Sequence, residues 1–265
     1  MRPLRDSLFF FLLPLFSFLL SLASTGCRFS LSPLANRISV GEESYAVFTA
    51  DGEGGVGDLY AIRPGGGTVA RITWTRLDEQ APALDPSGVA LAFIRTQPGR
   101  PASATVWVMN LLNGAERRMP VPAGATPPAR LGWTGDGSAL VVRSASGESY
   151  LLPAPPAKPD PRPVDADSRP AADSALLVVL GTPAFAVAAP CATGAGLCVT
   201  GSSGKESPLA ADGRAPFRWG ADSVGYFVGE TIVVRPLGAG SPRQVQAIGG
   251  PAHPRELVYF DYAKR

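Results

Sequence analysis

Residues 78–93 read DEQAPALDPSGVALAF, and residues 106–114 read VWVMNLLNG. The first stretch places a polar turn, Asp85-Pro86-Ser87-Gly88, immediately before an apolar run. Asp, Pro, Ser and Gly favour tight turns, and short apolar runs between turns favour buried strands. The second stretch adds another strand, with Trp107 at its centre, and ends in Asn113-Gly114. Together the two stretches predict a unit of short strands joined by turns.

This unit recurs along the chain. Apolar strands are expected at residues 46–48, 91–94, 140–142, 176–179, 225–228 and 257–260. A second strand follows most of them, and its corresponding residues are Tyr60, Trp107, Tyr150 and Cys198. Those residues are separated by 47, 43 and 48 positions, and Leu84, Trp133 and Trp219 share another position in the unit. A period of about 40 to 50 residues in β-rich units predicts the blades of a propeller.

Composition excludes several other classes of protein. The 265 residues include 30 Gly and 27 Pro, a density that long helices do not tolerate. Hydrophobic residues make up 45% of the chain, so it can bury a core and is not disordered as a whole. A net charge of +2 gives no support for binding to nucleic acid, which requires a basic surface.

The stretch at residues 78–93 followed by residues 106–114 resembles the TolB-type β-propeller repeat, as does Gly57-Asp58-Leu59-Tyr60 leading to Arg71-Ile72-Thr73. The resemblance implies an all-β fold, a β-propeller whose blades are four-stranded antiparallel sheets. We expect six blades, with five as the alternative, and a first and last strand that complete one shared blade. It also implies a place among the protein complexes of the bacterial cell envelope.

Three segments are expected along the chain: a signal peptide at 1–26, an N-terminal tether at 27–44 and a propeller domain at 45–265. Within the propeller, residues 153–172 begin with a Pro-rich run and are expected to form an irregular loop.

The first 27 residues have the parts of an export signal. Arg2 and Arg5 precede an apolar stretch at residues 8–23, which is short for a transmembrane span. Thr25-Gly26-Cys27 resembles a bacterial lipobox, and that resemblance implies that Cys27 carries lipid. The alternative is an ordinary secretory signal cleaved near Ala23 or Gly26. We expect a lipid-anchored protein of the periplasm or outer membrane, with a soluble secreted protein as the alternative.

Cys191 and Cys198 are the other two cysteines, and six residues separate them. Disulfide bonds persist in exported proteins, so we expect this pair to close a hairpin. Two half-buried free thiols are the alternative.

Motifs for chemistry are sparse, and we predict no catalytic residue, cofactor or metal site. Gly52-Glu53-Gly54-Gly55-Val56-Gly57 fits G-x-G-x-x-G but leads into a strand, whereas a dinucleotide site opens a helix. Asp51, Glu53 and Asp58 lack the spacing of an EF-hand calcium loop. The chain's one histidine, His253, is expected at the surface or at a blade edge.

The four tryptophans are Trp74, Trp107, Trp133 and Trp219. Their places in the repeats favour packing between blades, while a remaining one could line a binding face. The function expected is a non-enzymatic, monomeric scaffold that binds an unidentified cell-envelope protein. The alternative is a propeller enzyme or carbohydrate-binding protein with its site at the mouth of the central channel.

Overall fold

A computed structural model of the chain describes residues 32–155, 162–163, 178–182, 185–201, 203–220, 222–237 and 240–264. Helix within these ranges consists of two short 3-10 turns, at Glu53–Gly55 and Tyr262–Lys264. No helix in these ranges is long and apolar enough to cross a bilayer. The predicted signal peptide and Cys27 lie outside the described residues.

Twenty-two strands run through the described part of the chain. In chain order they are β1 (Tyr45–Asp51), β2 (Gly57–Ile62), β3 (Gly67–Thr68), β4 (Ala70–Arg71), β5 (Asp78–Leu84), β6 (Ala90–Gln97), β7 (Arg100–Asn110), β8 (Glu116–Met119), β9 (Pro128–Trp133), β10 (Ala139–Ser144), β11 (Ser149–Pro153), β12 (Arg162–Pro163), β13 (Val178–Thr182), β14 (Phe185–Pro190), β15 (Leu197–Gly201), β16 (Glu206–Ala210), β17 (Arg214–Trp219), β18 (Ser223–Val228), β19 (Thr231–Pro236), β20 (Arg243–Val245), β21 (Ala247–Ile248) and β22 (Glu256–Phe260).

These strands form five four-stranded antiparallel sheets in the described residues, and each sheet is one blade of a β-propeller. Blade 1 has the order β22-β1-β2-β4, and blades 2 to 5 follow as β5 to β8, β9 to β12, β13 to β16 and β17 to β20. The predicted all-β propeller with four-stranded blades is confirmed. Six blades were favoured, and the described residues form five, the alternative count. The first and last strands share a blade, as predicted. In the described part of the Pro-rich segment, Arg162–Pro163 form β12, the outer strand of blade 3.

Blade 1 closes the ring by combining the two ends of the domain. The C-terminal strand β22 pairs with β1, with Val258 opposite Val47. At the outer side, β21 pairs in parallel with β3, and the N–H of Gly67 donates to the carbonyl of Gln246 at 2.8 Å. Closure pairs strand edges that would otherwise remain open to other chains.

The turn between β5 and β6 shows how the repeat motif forms its structure. The Asp85 carboxylate accepts hydrogen bonds from the N–H groups of Val89 and Ala90, both at 2.8 Å. Gly88 has a φ of 69°, and a Cβ at this position would lie 2.7 Å from the ring of Phe260. Glycine is therefore required here both for the backbone angle and for the close approach of β22.

Apolar side chains alternate along the strands and fill the spaces between blades. Blades 1 and 2 enclose a cluster that includes Leu59, Phe93 and Met109. Blades 2 and 3 share another, including Ile94, Leu131 and Trp133, and a third cluster joins blades 1, 4 and 5. Packing between blades thus places Trp133 and Trp219 in the core, as the sequence predicted.

Residues 32–44, the described part of the predicted tether, pack against blades 1 and 2. Leu34 is fully buried, and Ile38 and Val40 are also buried in the same cluster. The hydroxyl of Ser32 donates to the carbonyl of Leu111 at 2.6 Å. The described chain therefore contacts the blades from Ser32 onwards, well before β1.

The propeller has two opposite faces. The tether face includes residues 32–44, the turns at 85–89 and 111–115, and residues 261–264. The mouth face includes the loop at 52–56, residues 72–77, the turn at 98–99 and residues 249–255. Strand β6, with eight residues, separates the two faces by about 26 Å.

Candidate functional site at the channel mouth

The mouth face gathers charged side chains from segments that are distant in the sequence. Asp51 ends β1, Asp58 is the second residue of β2, Asp78 begins β5 and Glu256 begins β22. Neighbouring strands of a blade run in opposite directions, so the end of one strand and the start of the next lie at the same edge. The blade architecture therefore brings acidic groups together at the opening of the channel.

A buried ion pair supports one side of this opening. The carboxylate of Asp58 is fully buried and accepts a hydrogen bond of 2.6 Å from the Arg71 guanidinium. The Thr73 hydroxyl lies 3.3 Å from Asp58 and 3.4 Å from Glu79. Because Thr73 also accepts the N–H of Leu59 at 2.9 Å, the pair is fixed to the backbone of β2.

A second set of buried polar contacts links Glu79 to other strands of blade 2. Arg95 donates to Glu79 at 2.9 Å and to both oxygens of Glu116 at 2.8 and 3.1 Å. Its guanidinium lies 5.0 Å from the ring centre of Phe93 and 4.7 Å from that of Trp107. We call Asp58, Arg71, Thr73, Glu79, Arg95 and Glu116 the buried polar network.

Burial dominates the electrostatics of Glu79. It raises the pKa of the Glu79 carboxyl above its ordinary value, against the hydrogen bond from Thr75 and the charge of Arg95. The Thr75 hydroxyl donates to the same carboxylate at 2.6 Å. The Glu79 carboxylate thus has hydrogen-bond partners in Thr73, Thr75 and Arg95.

Trp74 projects from this network into solvent. Its residue is 62% exposed, and the guanidinium of Arg71 lies 5.8 Å from its ring centre. Trp74 lies between β4 and β5, whereas Trp133 and Trp219 are buried. Trp133 and Trp219 thus pack between blades, whereas Trp74 is available to line a binding face.

The outer rim of the mouth is also held by ion pairs. Arg255 lies 3.3 Å from Asp51 and 3.4 Å from Asp78, and Asp78 also accepts the N–H of Gly57 at 2.8 Å. A Cβ at Gly57 would lie 2.5 Å from the Asp78 carboxylate. The last glycine of the G-x-G-x-x-G pattern therefore serves close packing within a β-hairpin.

His253 belongs to this rim. Its Nδ1 lies 2.9 Å from a carboxylate oxygen of Asp51, and its side chain is 74% exposed. In the described part of the chain, no Ser, Thr or Cys side chain contacts this imidazole. The expected surface position is the one observed.

Glu256 faces the channel from β22. Its carboxylate accepts the N–H of Ala81, a residue with a φ of 52° at the bulge of β5. Desolvation by the surrounding strands raises the pKa of Glu256, while the Ala81 N–H, Arg255 and Arg130 oppose the shift. Glu256 therefore ties the inner strand of blade 1 to that of blade 2.

The carboxylates do not form a metal site among the described residues. No group of three or more His, Cys, Asp or Glu side chains in the described ranges is arranged to hold a metal ion. Asp58 is directed to Arg71, while Asp51 is directed to His253 and Arg255.

Part of the chain matches a curated protein. It is 38% identical over 71 residues to the Tol-Pal system protein TolB 1 of Novosphingobium aromaticivorans. The propeller is TolB-like. The match covers 27% of this chain and 15% of the relative's length. No protein-family model matches the chain.

Two solved structures also resemble the TolB-like propeller. TolB from Acinetobacter baumannii aligns with a TM-score of 0.37 and 15% identity, covering 78% of this chain and 52% of that one. A chain of a nidogen/laminin complex aligns with a TM-score of 0.49 and 9% identity, covering 82% of this chain and 98% of the other.

The structure joins Cys191 and Cys198 by a disulfide bond, with 4.9 Å between their Cα atoms. The pair lies where β14 and β15 meet the loop at 191–196. The third cysteine, Cys27, lies outside the described residues, so its lipidation remains a prediction.

Sequence reasoning missed most of the mouth residues of the TolB-like propeller. Arg95 follows an apolar run and shares the face of Leu91 and Phe93, because alternate residues of a strand point the same way. That alternation was the available signal that its charge is buried. Arg255 and Glu256 had no comparable signal, since their partners are about 175 to 200 positions away.

Proposed function

We propose that this chain is a non-enzymatic, exported TolB-like propeller that recognises another cell-envelope protein through its mouth face. We further propose that lipid on Cys27 anchors it in the periplasm or at the outer membrane. The protein acts as a monomeric scaffold in this proposal. It binds its partner without chemical turnover.

The observation that supports a recognition role is the exposure of Trp74 beside Arg71. Tryptophan and arginine are among the residues enriched at the energetic centre of protein interfaces. Trp74 is 62% exposed and adjoins Arg71, which is itself held by the fully buried Asp58 carboxylate. A partner would meet an aromatic side chain whose surroundings are already ordered, so little entropy would be lost on binding.

The pairing of the mouth carboxylates favours recognition over acid–base catalysis. Asp51, Asp58 and Glu79 each have an arginine nitrogen within 3.3 Å. A general acid or base must reach a proton of the substrate, and carboxylates that are already held in ion pairs are engaged by the protein's own arginines instead.

Export is supported by the sequence features of residues 1–27 and by the disulfide bond. Disulfide bonds are stable in the periplasm and are rare in the cytosol. Stable anchoring requires more than one acyl chain, which the lipobox resemblance implies for Cys27.

Loss of partner binding in Trp74→Ala tests the recognition proposal. The matched control is Leu112→Ala, because Leu112 is similarly exposed, at 56%, but lies on the tether face. After cross-linking in cells, we expect Trp74→Ala to recover at least about tenfold less of a specific envelope protein, consistent with loss of an interface hot spot. Equal recovery with both variants would refute the role of the mouth face.

The anchor has a separate test. Cys27→Ala is expected to abolish palmitate labelling and to release the protein from the membrane fraction. The Cys191→Ser/Cys198→Ser variant serves as the control and should stay labelled. Unchanged labelling of Cys27→Ala would disprove the lipid anchor without affecting the proposed recognition surface.

A further inference from the structure

The first described residues lie on the face opposite the mouth. Ser32 is bonded to the carbonyl of Leu111, and the N–H of Leu111 donates to Val89 at 2.9 Å. Leu34 is fully buried directly after this point. The point at which residues 27–31 join the domain is therefore fixed at the turn of residues 111–115.

Two of the large exposed apolar side chains lie on this face. In the described residues the large exposed apolar side chains are Trp74, Leu112 and Tyr262, exposed by 62%, 56% and 47%. Leu112 follows the residue that Ser32 contacts. Tyr262 is fixed at the C-terminus, where its N–H donates to the hydroxyl of Ser44 at 2.9 Å. Two of the three thus lie on the tether face, near the start of the folded chain.

Few residues of the sequence separate Cys27 from Ser32. Only five residues lead from Cys27 to Ser32, and a fully extended chain advances at most about 3.6 Å per residue, or about 18 Å in all. The blade is longer than this, at about 26 Å along β6. A lipid on Cys27 therefore cannot be inserted in a bilayer that faces the channel mouth.

We propose that the tether face lies against the lipid bilayer, with Leu112 and Tyr262 in contact with its headgroup region. This inference rests on the proposed lipid anchor at Cys27 and adds the orientation of the propeller. Tyrosine suits the interface between lipid and water because its ring is apolar and its hydroxyl remains hydrated. The mouth face, with Trp74, then points away from the membrane towards a partner.

Hydroxyl-radical footprinting of the full protein tests this orientation. The protein is extracted from membranes, reconstituted in phosphatidylethanolamine/phosphatidylglycerol vesicles and compared with the soluble Cys27→Ala variant. Oxidation of Tyr262 and Trp74 is measured by mass spectrometry. We expect vesicle binding to lower oxidation of Tyr262 by about threefold or more, because lipid covers the ring, and to leave Trp74 unchanged.

The possible results distinguish a failure of the proposed orientation from a failure of the proposed lipid anchor. Mass spectrometry of the N-terminal peptide shows whether Cys27 carries lipid. A lipidated protein with equal oxidation of Tyr262 on vesicles and in solution would overturn the orientation and leave the anchor standing. An unmodified Cys27 in a protein that does not sediment with membranes would overturn both. Protection of Trp74 rather than Tyr262 would show the opposite orientation.

Discussion

Arg95 is buried at the boundary of blades 1 and 2, where its guanidinium contacts two carboxylates and two aromatic rings. The Glu79 carboxylate is fully buried and lies 2.9 Å from Arg95. Removing one member of a buried pair leaves the other charge without compensation, whereas an exposed pair contributes little. The contribution of each arginine therefore depends on the burial of its partner.

Arg95→Met should destabilise the protein by about 3 to 5 kcal/mol, because Glu79 would remain buried beside an apolar side chain. Arg63→Met is the matched control. Arg63 pairs with Glu43 at 3.2 Å, but its side chain is 53% exposed, so a loss of about 0 to 1 kcal/mol is expected. Urea unfolding followed by tryptophan fluorescence measures both variants.

At acidic pH, the loss of unfolding free energy caused by Arg95→Met should become smaller. The folded-state pKa of Glu79 is raised, so its protonated form is favoured by folding, and this stability is lost as pH rises through the raised pKa. Below the ordinary pKa of glutamate, Glu79 is neutral and needs no arginine. Equal losses for Arg95→Met and Arg63→Met at neutral pH would contradict the structural role of the network.

Asp136 should give the opposite pH dependence. It accepts hydrogen bonds from Thr134 at 2.6 Å and from the hydroxyl and N–H of Ser138, and these bonds lower its pKa to about 2. Stability from this carboxylate is present above the ordinary pKa of aspartate and is lost as pH falls towards 2. Asp136→Asn should therefore lower the melting temperature at pH 7, with a difference that shrinks between pH 4 and pH 2. A constant difference would argue against the turn interaction.

Residues differ in how far their place could be predicted. The turn at Asp85 was predictable, because its motif acts within five positions. The exposure of Trp74 was not, since it depends on the distance between β4 and β5. The partners of Arg255 are set by ring closure, and no local pattern encodes them.

At the scale of elements, the hairpin of β14 and β15 depends on the disulfide bond. Cys191 and Cys198 are seven positions apart and close a short loop. Closing a loop of about eight residues reduces the entropy of the unfolded chain and stabilises the fold by about 2 to 3 kcal/mol.

Cys191→Ser/Cys198→Ser should lose that stability, and reducing agent should destabilise the wild-type protein to the same degree. Reductant should have no effect on the double variant. Guanidinium unfolding with and without dithiothreitol measures this difference. Rapid reaction of both cysteines with a thiol probe in the unreduced native protein would contradict the bond.

Strand prediction succeeded where the apolar runs were continuous, as in β6 and β18. The outer strands were harder to find because they are short and polar, such as Glu116–Met119. These strands form by backbone hydrogen bonds to the neighbouring strand, and their side chains show no apolar pattern that would predict them. The Pro-rich segment shows the same limit, since Arg162–Pro163 pairs with β11 despite its composition.

At the scale of the whole molecule, the repeat period predicted a propeller, and chain length favoured six blades where the described residues form five. The predicted sharing of one blade by the first and last strands is observed, since β22 pairs with β1. The pairing joins the two ends of the domain, so its register could not be read from a local pattern. The shared blade also creates the mouth site, because it brings Arg255 and Glu256 beside residues 51–81.

The proposed scaffold has two different faces. The tether face lies on the side of the lipid, and Trp74 and the buried polar network lie on the opposite side. The burial of Leu34 and the contact of Ser32 with Leu111 fix the first side. The ion pairs of the mouth fix the second. A partner in the envelope should therefore contact the protein at Trp74 and not at Leu112.

Photo-cross-linking in intact cells tests this claim most directly. A benzophenone amino acid replaces Trp74 in one variant and Leu112 in the other, and adducts are identified by mass spectrometry after irradiation. We expect a discrete adduct with an envelope protein from position 74 that is absent from position 112. The same protein adduct from both positions, or an adduct from position 112 alone, would contradict this claim.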